Sequence, residues 1–195
     1  MTLYKIMRKI LYTLLCLPTF VSFLYFKGKN NEIEEDFCRR RKDFVRLSKM
    51  SRFDAFRTMM DSYPEYRFQL YYRLPKIIRL FLNLILRQQQ NLYVSMAPVQ
   101  VGGMIIVHGY STTILAESIG RNFVVHQNYT VGWNHGGKPI IGDDVSIYAG
   151  AVVAGPIKIG NNVKIGANCT VLQDIPDNSI VYGNPCIIKK IFNEK

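Results

Sequence analysis

From Ile141 to Pro176 the chain reads IGDDVS, IYAGAV, VAGPIK, IGNNVK, IGANCT, VLQDIP, six hexapeptides that each open on Ile or Val. The same phase runs upstream as VGGMII from Val101, then VHGYST, TILAES, IGRNFV and VHQNYT, with Val131 opening one more before an interruption. Thr113 is the first position that departs from Ile or Val. A period of six is neither helical nor the two-residue alternation of ordinary strands. It fits a triangular coil with three flat sides of about six residues, each sending an aliphatic side chain inward. Gly or another small residue often stands second, where it is expected to supply the backbone freedom of the corners. Coils of this kind stack about 4.8 Å apart with strand-like pairing. No single coil buries its own core, so stacking is obligatory. From Leu92 onward the expected architecture is a parallel β-helix.

Ahead of Leu92 the pattern is helical, so the fold class is α+β, with residues 1–91 a basic helical region and 92–195 the β-helix and its tail. Glu32, Glu34, Glu35 and Asp36 precede Arg39, Arg40, Arg41 and Lys42, an order that suits a helix dipole. Phe53, Phe56, Met59, Met60 and Tyr63 recur at helical spacing and read as core. Pro64 and Pro75 open new segments, the last of them Lys76 to Arg87. Near the start, Lys5, Arg8 and Lys9 precede an apolar run over residues 10–26, interrupted by Pro18 and closed by Lys27 and Lys29. The run is at the short edge for a membrane span and lacks a small-residue cleavage site. Three readings stay open for it: peripheral contact with a bilayer surface, a true membrane span, or packing as a helix on the rest of the protein.

Residues 1–100 carry 18 Lys and Arg against 8 Asp and Glu, whereas 101–195 carry 7 against 6. The basic character therefore belongs to the first half, which is open to two readings, an anionic partner surface or a solvated helical face. No groove-reading motif or stacking aromatic set accompanies it, so nucleic acid is not expected. Cys16, Cys38, Cys169 and Cys186 show no paired or metal-ligand spacing, which fits free thiols in a reducing compartment.

Over Leu92–Lys190 the chain resembles the hexapeptide-repeat acyltransferases, and among them the serine O-acetyltransferase branch. The carrying residues are Val107-His108-Gly109, Ala116-Glu117-Ser118, Val125 to Gly132, Pro139 to Gly142, Ile147 to Ala151, Gly155 to Ile157, Ile165 to Asn168 and the exit Asp174 to Pro185. Ser62 to Arg67 and Tyr71 to Arg73 resemble the helical part of that branch. Short members associated with bacterial surface polysaccharide are the most similar. The resemblance implies a left-handed β-helix, a homotrimer, acetyl-CoA bound as co-substrate between neighbouring subunits, and a cytoplasmic location, at the inner face of the membrane if the first helix touches it.

Acetyl transfer to a hydroxyl needs a general base and a donor for the oxyanion of the tetrahedral intermediate. The resemblance places the base on His108. His126 follows after three hexapeptides, one full coil, and is expected at the same lateral position, beside the acceptor or orienting His108. Trp133 to Ile140 delays the next coil by four residues and is expected as a cleft loop outside the solenoid, with Trp133, His135 and Lys138 available to substrate. Gly132, Ala149, Gly150 and Ala167 are the small positions along which the CoA arm would lie, and Lys164 and Lys189 would meet its phosphates. Tyr93 and Asn128 complete the expected acceptor site. No metal is expected, because His spacings of 18 and 9 do not match the zinc enzymes built on this solenoid. The resemblance also shows departures. Tyr93 and Val107 stand where the branch carries acidic residues, and Gly137-Lys138 replaces its Arg-His pair. These changes point to a sugar or polysaccharide precursor as acceptor, with L-serine as the alternative, and leave Glu117 as a substitute partner for His108.

Overall fold

The computed structural model describes residues 3–94 and 102–190. Val101, which opens the first expected hexapeptide, lies outside them. The chain divides into two compact units, Met1–Gln89 and Gln90–Lys195.

The first unit is helical: α1 (Leu3–Lys27), α2 (Asn31–Asp43), α3 (Val45–Ser48), α4 (Arg52–Ser62), α5 (Pro64–Tyr72) and α6 (Lys76–Ile85). Local signals set the helix ends. The Asn30 side chain caps α2 by accepting from the Glu32 N–H, and Ser51 caps α4 by accepting from the Asp54 N–H. Pro64 opens α5, where its missing N–H costs nothing. Acid first and base last holds along α2. The interruption expected at Pro18 is absent, and α1 runs through it. Cys16, Thr19 and Phe23 are wholly buried on either side of the proline, and this packing outweighs the roughly 3 kcal/mol an internal proline costs. The Met and aromatic stripe is core as expected, with Phe56, Met59 and Met60 buried among Phe23, Phe37 and Tyr66. Asp36 and Arg73 pair there at 2.9 Å, both side chains almost completely buried.

The second unit is a parallel β-helix with three sides, its strands numbered in chain order. One side stacks β2 (Ile105–Ile106), β5 (Val124–Val125), β8 (Ser146–Ile147), β11 (Lys164–Ile165) and β13 (Ser179–Tyr182), closed by antiparallel β14 (Ile187–Lys190). The next stacks β1 (Leu92–Val94), β3 (Thr112–Ile114), β6 (Thr130–Gly132), β9 (Val152–Ala154) and β12 (Thr170–Val171). The third stacks β4 (Ser118–Ile119), β7 (Ile140–Ile141) and β10 (Lys158–Ile159).

Each side sends two side chains inward rather than one. Ile119, Val125, Val131, Ile141, Ile147, Val153, Ile159, Ile165 and Val171 fill the core from the first hexapeptide position. Phe123, Tyr129, Val145, Ala151, Ile157, Val163, Cys169 and Ile175 fill it from the fifth. In a strand, residues two apart share a face, so one side can bury both. The backbone freedom expected of the second-position glycines belongs mostly to Asn and Asp. Asn122, Asp144, Asn162 and Asn178 take positive φ at one corner. There the Asn122 amide donates to Asp144 and the Asn162 amide to Asn178, each at 2.9 Å. Gly142 is needed for a different reason: a Cβ there would lie 2.6 Å from Asn161 Oδ1, which accepts the Asp143 N–H.

The phase fails at the start of the solenoid. The inward residues there are Ile106 and Ile114, while Val107 and Thr113, expected inward, are half-buried. Two residues more than a regular side separate Ile106 from Ile114, and they swell the corner at 107–111, where His108 and Ser111 both have positive φ. Ile147→Ala should lower stability by about 2–5 kcal/mol through the cavity it opens between stacked coils. Ser146→Ala, on the outward face of the same strand, should stay within about 0.5 kcal/mol. Urea midpoints of the two variants against the parent chain check this.

Candidate active site

The widened corner is where the expected base sits. His108 is exposed and left-handed, with φ 52°, a conformation uncommon for a residue other than glycine. The Tyr110 N–H donates to the His108 carbonyl at 2.5 Å, and the Asn128 N–H of the next coil donates to the Tyr110 carbonyl at 2.9 Å. The bulge is thereby pinned to the coil below it. Backbone held in such a conformation costs about 1–3 kcal/mol and is found disproportionately at functional sites.

His126 does not stand at the same lateral position as His108. Ile106 pairs with Val125, so Val107 faces His126 and His108 lies one residue beyond. The swollen corner makes this coil one residue longer than three hexapeptides. The two histidines nevertheless meet electrostatically. Burial, and then the like charge of His108, push the His126 pKa below 6.5. His126 is half-buried, and its ring stacks on Tyr148 with centroids 5.0 Å apart and planes 19° off parallel. Tyr148 is the residue that sequence reasoning missed. Val125 pairs with Ile147, which sets Tyr148 opposite His126. Adding the four-residue delay of the loop to a regular coil of three hexapeptides would have located it.

The same corner carries most of the small positions expected for CoA. Ala149 and Gly150 follow β8, and Ala167 follows β11. Hydrogen bonds from the Gly150 N–H to Gln127 and from the Asn168 N–H to Ala149 tie Asn128, Gly150 and Asn168 into one corner ladder. Gly150 has φ 73°, and a Cβ there would come 2.1 Å from Asn168 Oδ1. Lys164 and Lys189 are exposed on the side that leads into this corner. Both align with Ile180, Lys164 from β11 and Lys189 from β14, so they stand about 10 Å apart, two strand spacings. Tyr93 lies on β1 opposite Thr113, its ring largely outside.

Other expected residues fall at the far end of the β1–β12 side. Gly132 closes β6 and is buried, and the chain leaves the solenoid after it. Trp133, Asn134, His135 and Gly136 are exposed, Asn134 and Gly137 exchange both backbone hydrogen bonds, and the Trp133 and His135 rings lie 6.4 Å apart. Lys138 is half-buried on the returning strand of the loop. Glu117 is exposed after β3, its N–H donating to the Pro139 carbonyl, and so belongs to the loop end. Within one chain it stands at the other end of the β3 side from His108. One corner thus gathers His108, His126, Asn128, Ala149, Gly150 and Ala167. The opposite corner gathers Glu117, Gly132, Trp133, His135 and Lys138. Among the described residues no group of three or more His, Cys, Asp or Glu comes together as a cation site.

Residues 138–173 match the family of the bacterial transferase hexapeptide (six repeats). A serine acetyltransferase of Staphylococcus aureus is 47% identical over 92 residues, which are 45% of this chain and 41% of that protein. One of Mycobacterium tuberculosis is 35% identical over 91 residues, 44% of this chain and 40% of its own length. The chain thus spans about two fifths of the curated relatives it matches. The crystal structure of Neisseria gonorrhoeae serine acetyltransferase in complex with serine aligns with a TM-score of 0.62 at 24% identity, over 84% of this chain and 72% of that one. Residues 138–173 of the β-helix thus match bacterial transferase hexapeptide repeats, and helices followed by a β-helix is a fold shared with the serine acetyltransferases.

Proposed function

We propose that the chain moves an acetyl group from acetyl-CoA to a hydroxyl, with L-serine as the acceptor, and that it works as a homotrimer. The observation that carries the reading is that His108, at a swollen corner, and His126, on the next coil, interact along the edge of the solenoid that also holds Ala149, Gly150 and Ala167. His108 takes the proton of the acceptor hydroxyl as its oxygen attacks the thioester carbonyl carbon. The carbon–sulfur bond breaks, and the proton passes on to the leaving thiolate. His126, its pKa held down by burial and then by its neighbour, positions the acceptor or the His108 ring. The small corner residues leave room for the pantetheine arm, and Lys164 and Lys189 meet phosphates.

L-serine takes the place of the sugar or polysaccharide precursor expected from the sequence, since the similar proteins are serine acetyltransferases. One observation keeps a sugar hydroxyl as the second reading: the partly exposed Tyr148 ring beside His126 is a surface on which the C–H face of a sugar packs. The trimer is supported by the separation of the two corner groups. A ring of three chains, each using a different surface toward each neighbour, brings the histidine corner of one subunit against the Trp133–Ile140 loop of the next.

His108→Ala should keep the native mass in solution and lower turnover roughly 10²- to 10⁴-fold, with His126→Ala costing less. Rates at saturating acetyl-CoA compare the two, and near-normal turnover by His108→Ala would move the base elsewhere. The same variant should raise the His126 pKa toward 6.5, because one of the two causes holding it down is gone while burial remains. Titration of the ring protons by NMR reads this, and an unmoved value would separate the two histidines. Thiol release with L-serine and with a panel of sugars decides the acceptor. Turnover confined to sugars would remove L-serine.

A further inference from the structure

The helical unit leaves two apolar helix faces without a partner. On α1 the exposed residues Met7, Ile10, Leu11, Leu14, Leu17, Val21, Leu24 and Tyr25 recur every three or four positions. They form a stripe directly opposite the buried Cys16, Thr19 and Phe23, so α1 is apolar on both its inner and its outer face. On α6 the exposed Ile77, Leu80, Phe81 and Leu84 form a second stripe, opposite the buried Leu82. The two helices pack against each other, which puts the stripes on adjoining elements.

Charge indicates what covers them. Neither helix contains a carboxylate. Lys5, Arg8 and Lys9 stand in the early turns of α1, Lys27 and Lys29 at its end, and Lys76, Arg79 and Arg87 in and just beyond α6. Lys9, Lys29, Lys76 and Arg87 are exposed. Lys29 donates to the Tyr25 hydroxyl at 2.7 Å and lies over the Tyr25 ring, a cation held at the margin of the apolar stripe. Glu34 of α2 lies near Lys27 and Asp54 of α4 near Lys9, but the two helices themselves bring only cations to the edges of the stripes, which makes the face complementary to anionic lipid headgroups above an acyl layer. It is not complementary to a second copy of itself, which would press like charges together.

We infer that α1 and α6 together dock the protein on an anionic bilayer, lying in the headgroup layer with the stripes inward. By length and composition residues 9–27 suffice to cross a membrane, but a span would strip Cys16, Thr19 and Phe23 from the helical core they complete. Lying flat keeps both faces of α1 buried at once. The embedded side chains hold the protein by their apolar area, and the lysines and arginines add attraction that salt weakens.

Co-sedimentation of the full chain with phosphatidylcholine vesicles, with and without a quarter of phosphatidylglycerol, tests this. The expected result is binding to the anionic vesicles that falls on raising salt. The double variants Leu14→Glu with Val21→Glu, and Ile77→Glu with Leu84→Glu, should each lose roughly tenfold or more in partition. The milder pair Val21→Ser and Ile77→Ser should give an intermediate loss. All these positions are exposed, so helix content by circular dichroism should not change. Failure of the parent chain to bind either vesicle overturns the inference, as does full binding by folded Glu variants. A molar mass that falls in the Glu variants, with no vesicle binding by the parent, would mean that another copy covers the stripes and would overturn it equally.

Discussion

A coil of six-residue sides cannot bury its own aliphatic side chains, and the rest of the β-helix follows from that constraint. Ile147 is shielded by Val125 above and Ile165 below, and each of those by the next. Stacking fixes the lateral position of every inward residue, and with it the direction of every outward one. Where a coil holds the regular three hexapeptides, as from Ile147 to Ile165, the corners are closed by Asn, Asp and Gly. Chemistry enters where the count changes. The added residues at 107–111 swell one corner and expose His108. The four-residue excess between Val125 and Ile147 goes into the loop at the other corner, because the core has no room for it. The two departures lie on consecutive coils, at opposite ends of one side.

Under the proposed reading, this arrangement divides the site into two groups, neither complete in one chain. The histidine corner has imidazoles, small residues and an aromatic ring, while the loop corner has Trp133, His135, Lys138 and Glu117. A rigid solenoid cannot fold one onto the other. The proposed ring of three would, by rotation of whole subunits, set every corner against a loop.

Much of this was legible in the residues. From Ile119 onward the phase could be read directly, because an out-of-phase Ile or Val would have to face water. The helix start at Pro64 was equally plain. Upstream of Ile119 the phase misled, because Val107 and Thr113 are as acceptable beside the core as in it, and only the weak residue at Thr113 hinted at the slip. Pro18 misled for the opposite reason: tertiary packing of Cys16, Thr19 and Phe23 overrode a local preference. The glycines at second positions were recognised but assigned the wrong cause, since close approach of an Asn or Asp side chain leaves no mark in the sequence. Tyr148 was hidden by the loop between it and His126, which has to be discounted before the two rings line up.

The central claim, a site completed between subunits, is tested most directly by complementation. Chains carrying His108→Ala are assembled with chains carrying Ala at Trp133, His135 and Lys138, each parent being inactive alone. In a ring of three, any mixed assembly joins an intact histidine corner to an intact loop at one of its interfaces. Random equal mixing should therefore restore up to about a quarter of the unmodified activity. Mixed assemblies of the native mass that show no more activity than the two parents would contradict the account.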